Sequence, residues 1–99
     1  MSYSIQWTPG SQEQLMDLIK FIEKKWGRNA VLKFNSQLEF FLKIIEDMPE
    51  AFPAINKRMK WRRCVITKRT VLFYKIQDKT IILSAIYDTR MDPDSILNS

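Results

Sequence analysis

Tyr3, Ile5 and Trp7 alternate with Ser4 and Gln6 at the start of the chain, the two-residue period of a strand with one buried face. A short first strand is therefore predicted over residues 3–7. Thr8-Pro9 reads as a helix entry, because threonine can cap exposed amide donors and proline at the first helical position forfeits no hydrogen bond. Leu15, Leu18, Ile19, Ile22 and Trp26 then recur at spacings of three and four, one stripe of a helix over 9–26 that Gly27 can end by adopting a positive φ. Asn29 is positioned to cap a second helix, whose apolar positions Val31, Phe34, Leu38, Phe41, Leu42 and Ile45 run on until Met48-Pro49. Phe40 and Ile44 widen that stripe beyond one packing face. Two helices joined this closely form a hairpin, and their shared stripe needs a sheet to bury against.

The segment 49–53, Pro-Glu-Ala-Phe-Pro, is a turn-rich connector in which each proline withholds an amide donor. Beyond it, residues 61–66, 70–76 and 80–87 are short runs rich in Val, Ile, Tyr and Phe and read as strands. The linkers Thr67-Lys68-Arg69 and Gln77-Asp78-Lys79 permit hairpins and exclude crossovers, so these strands form an antiparallel meander. Neither linker contains glycine. The predicted fold is α+β in the order β-α-α-β-β-β, a helical hairpin packed on a small antiparallel sheet, with residues 1–99 as one domain. The place of the first strand in the sheet is left open.

Composition narrows the chemistry. With no histidine and one cysteine, Cys64, the chain cannot assemble a Cys/His zinc site, a Ser-His-Asp triad or an internal disulfide. The opening MSYSIQW has neither the charge nor the apolar core of a secretory leader, and no apolar run is long enough to span a bilayer, so the cytoplasm is the expected location. No cofactor, metal, membrane or small-molecule substrate is expected. The net charge of +5 is uneven: residues 1–50 hold six basic and seven acidic side chains, residues 51–99 ten and four. Lys57, Arg58, Lys60, Arg62, Arg63, Lys68 and Arg69 cluster without an intervening acid. Such a patch suits a polyanion or an acidic protein, the alternative being a solvated face.

Alternation within 61–66 sends Arg63 and Val65 to one face and Arg62, Cys64 and Ile66 to the other. One arginine thus faces away from the helices, beside Lys68 and Arg69 in the adjoining turn. Candidate contacts to a target or partner are Arg58, Lys60, Trp61, Arg62, Arg63, Lys68, Arg69 and Arg90, with Trp61 open to a core role. Cys64 reads as a small buried hydrophobe. Glu46, Asp47 and Glu50 read as partners of nearby cations, and Asp88, Asp92 and Asp94 as turn formers beside Arg90 and Pro93. Tyr87 and Arg90 are the groups best placed for phosphodiester chemistry, although Tyr74 and Tyr87 read equally as packing residues.

YSIQWTP, the MPEAFP connector, VLFYKIQDKTIILSAI and the closing YDTRMDPDSIL together resemble the RelE/ParE superfamily of small bacterial toxins from type II toxin-antitoxin modules, over nearly the whole chain. The closing segment is similar to the arginine-then-proline ending of ParE-like members. The resemblance implies a toxin neutralised by an antitoxin, with either of two targets: RelE-like members cut messenger RNA on the ribosome, and ParE-like members poison DNA gyrase without nuclease residues. Here Val71 stands before Leu-Phe-Tyr where the nuclease pattern has arginine, and residues 88–99 contain no tyrosine. Arg63 and Arg90 could match basic residues of the nuclease set. The expectation is therefore a ParE-like growth inhibitor acting on gyrase, with no catalytic residues. The alternative is a ribosome-dependent endoribonuclease using Arg63, Lys68, Arg69 and Arg90 to stabilise phosphate charge. In either case an acidic, partly disordered antitoxin is expected over the cationic half, with Phe21, Phe40 and Ile44 as candidate apolar contacts.

Overall fold

The computed structural model describes residues 3–55, 58 and 60–91. Its elements are β1 (Ser4–Trp7), α1 (Pro9–Trp26), α2 (Arg28–Asp47), β2 (Trp61–Val65), β3 (Thr70–Gln77) and β4 (Thr80–Asp88), the predicted α+β order. The four strands form one sheet in the order β1-β4-β3-β2, with β1 parallel to β4 and the other pairings antiparallel.

Thr8 caps α1 reciprocally with Ser11: the Thr8 hydroxyl accepts from the Ser11 amide (3.1 Å) and the Ser11 hydroxyl accepts from the Thr8 amide (3.0 Å). Ser11 also donates to the Leu83 carbonyl at 2.7 Å, which fastens the start of α1 to β4. The reversal between the helices corrects the expectation for Asn29. Gly27, at φ 90°, ends α1 by donating to the Glu23 carbonyl (2.8 Å) and also begins α2, so Asn29 lies inside the first turn and caps nothing. One glycine able to enter the positive-φ region replaces the longer connection.

Leu18 and Ile22 of α1 and Phe34, Leu38 and Ile45 of α2 are buried against Cys64, Ile66, Leu72, Tyr74, Ile81, Leu83 and Ile86. Each leucine, isoleucine or phenylalanine among them contributes about 1.5–3 kcal/mol when fully buried. The helices thus cover one face of the sheet. Glycine is absent from both hairpin turns because other residues meet their needs. The Thr67 hydroxyl accepts from the amides of Arg69 (3.1 Å) and Thr70 (3.0 Å), and Asp78 adopts φ 56°. At the far edge, the connector pairs with β2 through the Ala54–Arg62 bridge, with Ile55 donating to the Trp61 carbonyl and Arg63 to the Pro53 carbonyl. That pairing shields an otherwise open edge.

β3 and β4 slip register between Phe73 and Tyr74, which face Ala85 and Leu83, so Ser84 is an extra residue on β4. The bulge switches the alternation: Ile81 and Leu83 point to the helices before it, Ile86 and Asp88 after it.

Candidate interaction surface

The strand register places three rows of side chains on the sheet face opposite the helices. Trp61, Lys75 and Ile82 form the first, Arg63, Phe73 and Ala85 the second, and Val65, Val71 and Tyr87 the third. Lys75 Nζ lies 5.2 Å from the Trp61 ring centroid, and the Phe73 and Tyr87 rings meet edge to face at 5.9 Å. Val65 and Tyr87 are each 47% exposed. This face offers three aromatic rings on a diagonal, with the cations Arg63 and Lys75 between them, a combination suited to a partner with both apolar and anionic groups.

The predicted cations divide into groups. Arg63 is exposed on the open face, and Lys68 and Arg69 are exposed in the turn at one end of it. Among the described residues none of these three forms an ion pair. Arg58 and Lys60 are exposed on the connector leading into β2, and Lys57 lies outside the described residues. Trp61 is half-buried beneath Lys75. Arg62, on the opposite side of β2, donates from Nη1 to the Phe52 carbonyl at 2.6 Å and to the Glu50 carbonyl at 3.4 Å. It ties the connector to the sheet.

Arg90 is separate again. Its Nε and Nη2 meet the two Asp88 carboxylate oxygens at 2.8 and 2.6 Å, and its guanidinium carbon lies 4.7 Å from the Trp26 ring centroid at the end of α1. Asp88 is buried and also accepts from the Thr70 hydroxyl (2.7 Å) and the Arg90 amide (2.9 Å). Burial alone would raise this carboxyl's pKa, but the hydrogen bonds from Arg90 and Thr70 outweigh it and hold the group below the ordinary carboxylate range. Arg90 is therefore on the helix side, while Tyr87 is on the open face.

Cys64 is buried, and burial pushes its thiol up to about 12. Burial likewise pushes the Tyr74 phenol up to about 12, against the lowering effect of Arg62; its hydroxyl donates to the Pro49 carbonyl at 2.7 Å. Both are core groups, as the sequence suggested for Cys64. Glu46 and Asp47 each lie 3.9 Å from Lys43. Among the described residues no cluster of carboxylates or cysteine is arranged to hold a metal, and no helix is long and apolar enough to cross a membrane. Asp92, Pro93 and Asp94 lie outside the described residues. Of the apolar candidates, Phe40 is 60% exposed, whereas Phe21 packs against the core and Ile44 is half-buried. Phe73 and Lys75 stand on the open face as well, a placement that the period-two pattern across β3 encodes.

A family model described as the ParE toxin of the type II toxin-antitoxin system, parDE, matches residues 5–93. No curated protein matches the chain. Among solved structures, the fold is similar to that of a chain of the chromosomal ParDE toxin-antitoxin system from P. aeruginosa, with a TM-score of 0.73 at 13% identity, covering 88% of this chain and 96% of the other. It is also similar to a chain of the RelBE2 complex from Mycobacterium tuberculosis (TM-score 0.63, 15% identity, 89% and 99% covered) and one of the E. coli DinJ-YafQ complex (0.61, 11%, 91% and 96%). With its family model matched over most of its length, the chain belongs to the ParE toxin family of type II toxin-antitoxin systems.

Proposed function

We propose that this protein is a single-domain cytoplasmic toxin that arrests growth by binding DNA gyrase through the open face of its sheet, and that a cognate antitoxin neutralises it. Arg63, Lys68, Arg69 and Lys75 supply the cationic contacts and Trp61, Phe73 and Tyr87 the apolar ones. The observation that carries this reading is the division of the cations: Arg63 is exposed on the open face and forms no ion pair among the described residues, whereas Arg90 is clamped by Asp88 against Trp26 on the other side. A phosphodiester-cleaving site needs its charge-stabilising groups to converge on one reacting phosphate. A gripping surface has no such requirement.

The alternative, a ribosome-dependent endoribonuclease, draws support from one feature: the exposed Tyr87 phenol shares the open face with Arg63. The two readings part in a side-by-side assay of gyrase supercoiling and ribosome-stimulated messenger RNA cleavage with purified toxin. Inhibited supercoiling without cleavage is expected, and cleavage with normal supercoiling would reverse the choice.

A further inference from the structure

The helix side of the molecule carries a second feature that the open face does not explain. A cleft of about 290 Å³ opens between the helical hairpin and the turn after β2. Ile22, Ala30 and Phe34 form its apolar floor, and Trp26, Lys33 and Arg90 also line it. Its size matches one or two side chains and falls below most cofactor sites. We propose that this cleft is an anchor pocket for the antitoxin, taking an apolar side chain from an acidic segment whose neighbouring carboxylate is met by Lys33 and Arg90. The inference rests on the toxin-antitoxin reading and adds the place and chemistry of contact.

Four features argue for that occupant. The floor is hydrocarbon and rewards an apolar group. Of the two charged groups lining the cleft, Arg90 shares its charge with Asp88 and Lys33 forms no ion pair among the described residues, so the cleft is net cationic and selects an acidic neighbour for that group. Arg90 is ordered in advance, because Asp88 engages Nε and Nη2 and, among the described residues, leaves Nη1 uncommitted. A guanidinium already fixed loses little conformational freedom when it takes a carboxylate. Trp26, 52% exposed, offers further apolar area at the cleft.

The test uses the full-length toxin and the protein encoded by its neighbouring short reading frame as the antitoxin probe. Two substitutions address the cleft: Ala30→Phe fills it, and Lys33→Glu reverses one of its charges. Lys20→Glu, at an exposed α1 position that does not line the cleft, controls for general charge effects. Each cleft variant is expected to weaken binding at least tenfold, against less than twofold for Lys20→Glu, and to remain toxic while escaping neutralisation. Should Ala30→Phe not fold, the exposed Lys33→Glu decides alone. Binding within twofold of wild type for the folded cleft variants, or an equal loss for Lys20→Glu, overturns the pocket and leaves the toxin-antitoxin reading intact. A wild-type toxin that does not bind the probe overturns both.

Discussion

Arg62 and Arg63 are neighbours in the chain and stand on opposite sides of the sheet. Arg62 opposes buried Tyr74 and spends its guanidinium on the Phe52 and Glu50 carbonyls, while Arg63 opposes Phe73 on the open face. Two side chains of the same chemistry therefore have different consequences when removed. Arg63→Glu is predicted to reduce gyrase inhibition at least tenfold while changing stability by about 0.5 kcal/mol or less, as for most exposed positions. Arg62→Ala is predicted to cost about 1–3 kcal/mol through the lost hydrogen bond to the half-buried Phe52 carbonyl and lost stem packing. Urea unfolding and a supercoiling assay on both variants check this; equal stability losses would refute the division of roles.

The Asp88–Arg90 pair sets a stability prediction with a defined pH dependence. Asp88 titrates below its unfolded value, so its contribution is complete above about pH 4, the ordinary carboxylate pKa, and is lost as pH falls through the lower folded value. Asp88→Asn should therefore cost about 2–3 kcal/mol at neutral pH, with the gap to wild type closing in acid. Arg90→Ala should cost more, about 3–4 kcal/mol, because it strands a buried carboxylate, whereas the partly exposed guanidinium can turn to water. Denaturant titrations between pH 3 and 7 check both the order and the closing gap.

Cys64 should be unreactive in the folded state. With its thiol pushed up to about 12 by burial, almost none is thiolate at pH 8 and the sulfur is out of reach of a reagent. Labelling with a disulfide reagent is expected to be slow in buffer and to accelerate in proportion to unfolding as urea is added. Fast, urea-independent labelling would show that the strand opens locally. Cys64→Ser should destabilise more than Cys64→Ala, since the hydroxyl would be buried without a partner, at a cost of about 1–3 kcal/mol.

Alternation made β2 legible in the sequence: Cys64 and Ile66 are buried and Arg63 and Val65 exposed, as the period of two requires. The same rule misleads on β4. Continued from Ile81 and Leu83, it would turn Ala85 and Tyr87 inward and Asp88 out, and it takes the extra residue Ser84 to reverse them. The Ile86 amide then donates to the Gln14 side chain at 3.0 Å, a helix-to-strand contact across most of the chain that no local pattern encodes. Arg90 followed from the same bulge. Along the chain Arg90 is one more cation for a target or an antitoxin, and the buried carboxylate two residues earlier turns it toward Trp26. The helices were legible through their stripes, and the Asn29 cap failed because Gly27 already served both helix ends.

Tyr74→Phe tests how the connector is held. The Tyr74 hydroxyl reaches through the core to the Pro49 carbonyl, and the connector beyond Pro49 pairs with the outer edge of β2. Removing the hydroxyl leaves a carbonyl at a buried position without that donor, at an expected cost of about 1–3 kcal/mol. The loss should be local as well as global: the amides of Ile55 and Arg63, which bridge connector and strand, should exchange hydrogen faster relative to core amides such as Leu72. The alkaline limb follows from burial, which pushes the phenol up to about 12 against Arg62's opposing charge. A raised folded value means that the group's contribution is complete below the unfolded phenol pKa of about 10 and declines as pH rises toward the folded value. Wild type should therefore keep a constant advantage over Tyr74→Phe up to about pH 10 and lose it above, a difference readable from paired denaturant titrations. An advantage that grew above that pH would mean that Tyr74 ionises more readily in the folded chain, and the buried hydrogen bond to Pro49 would have to be abandoned.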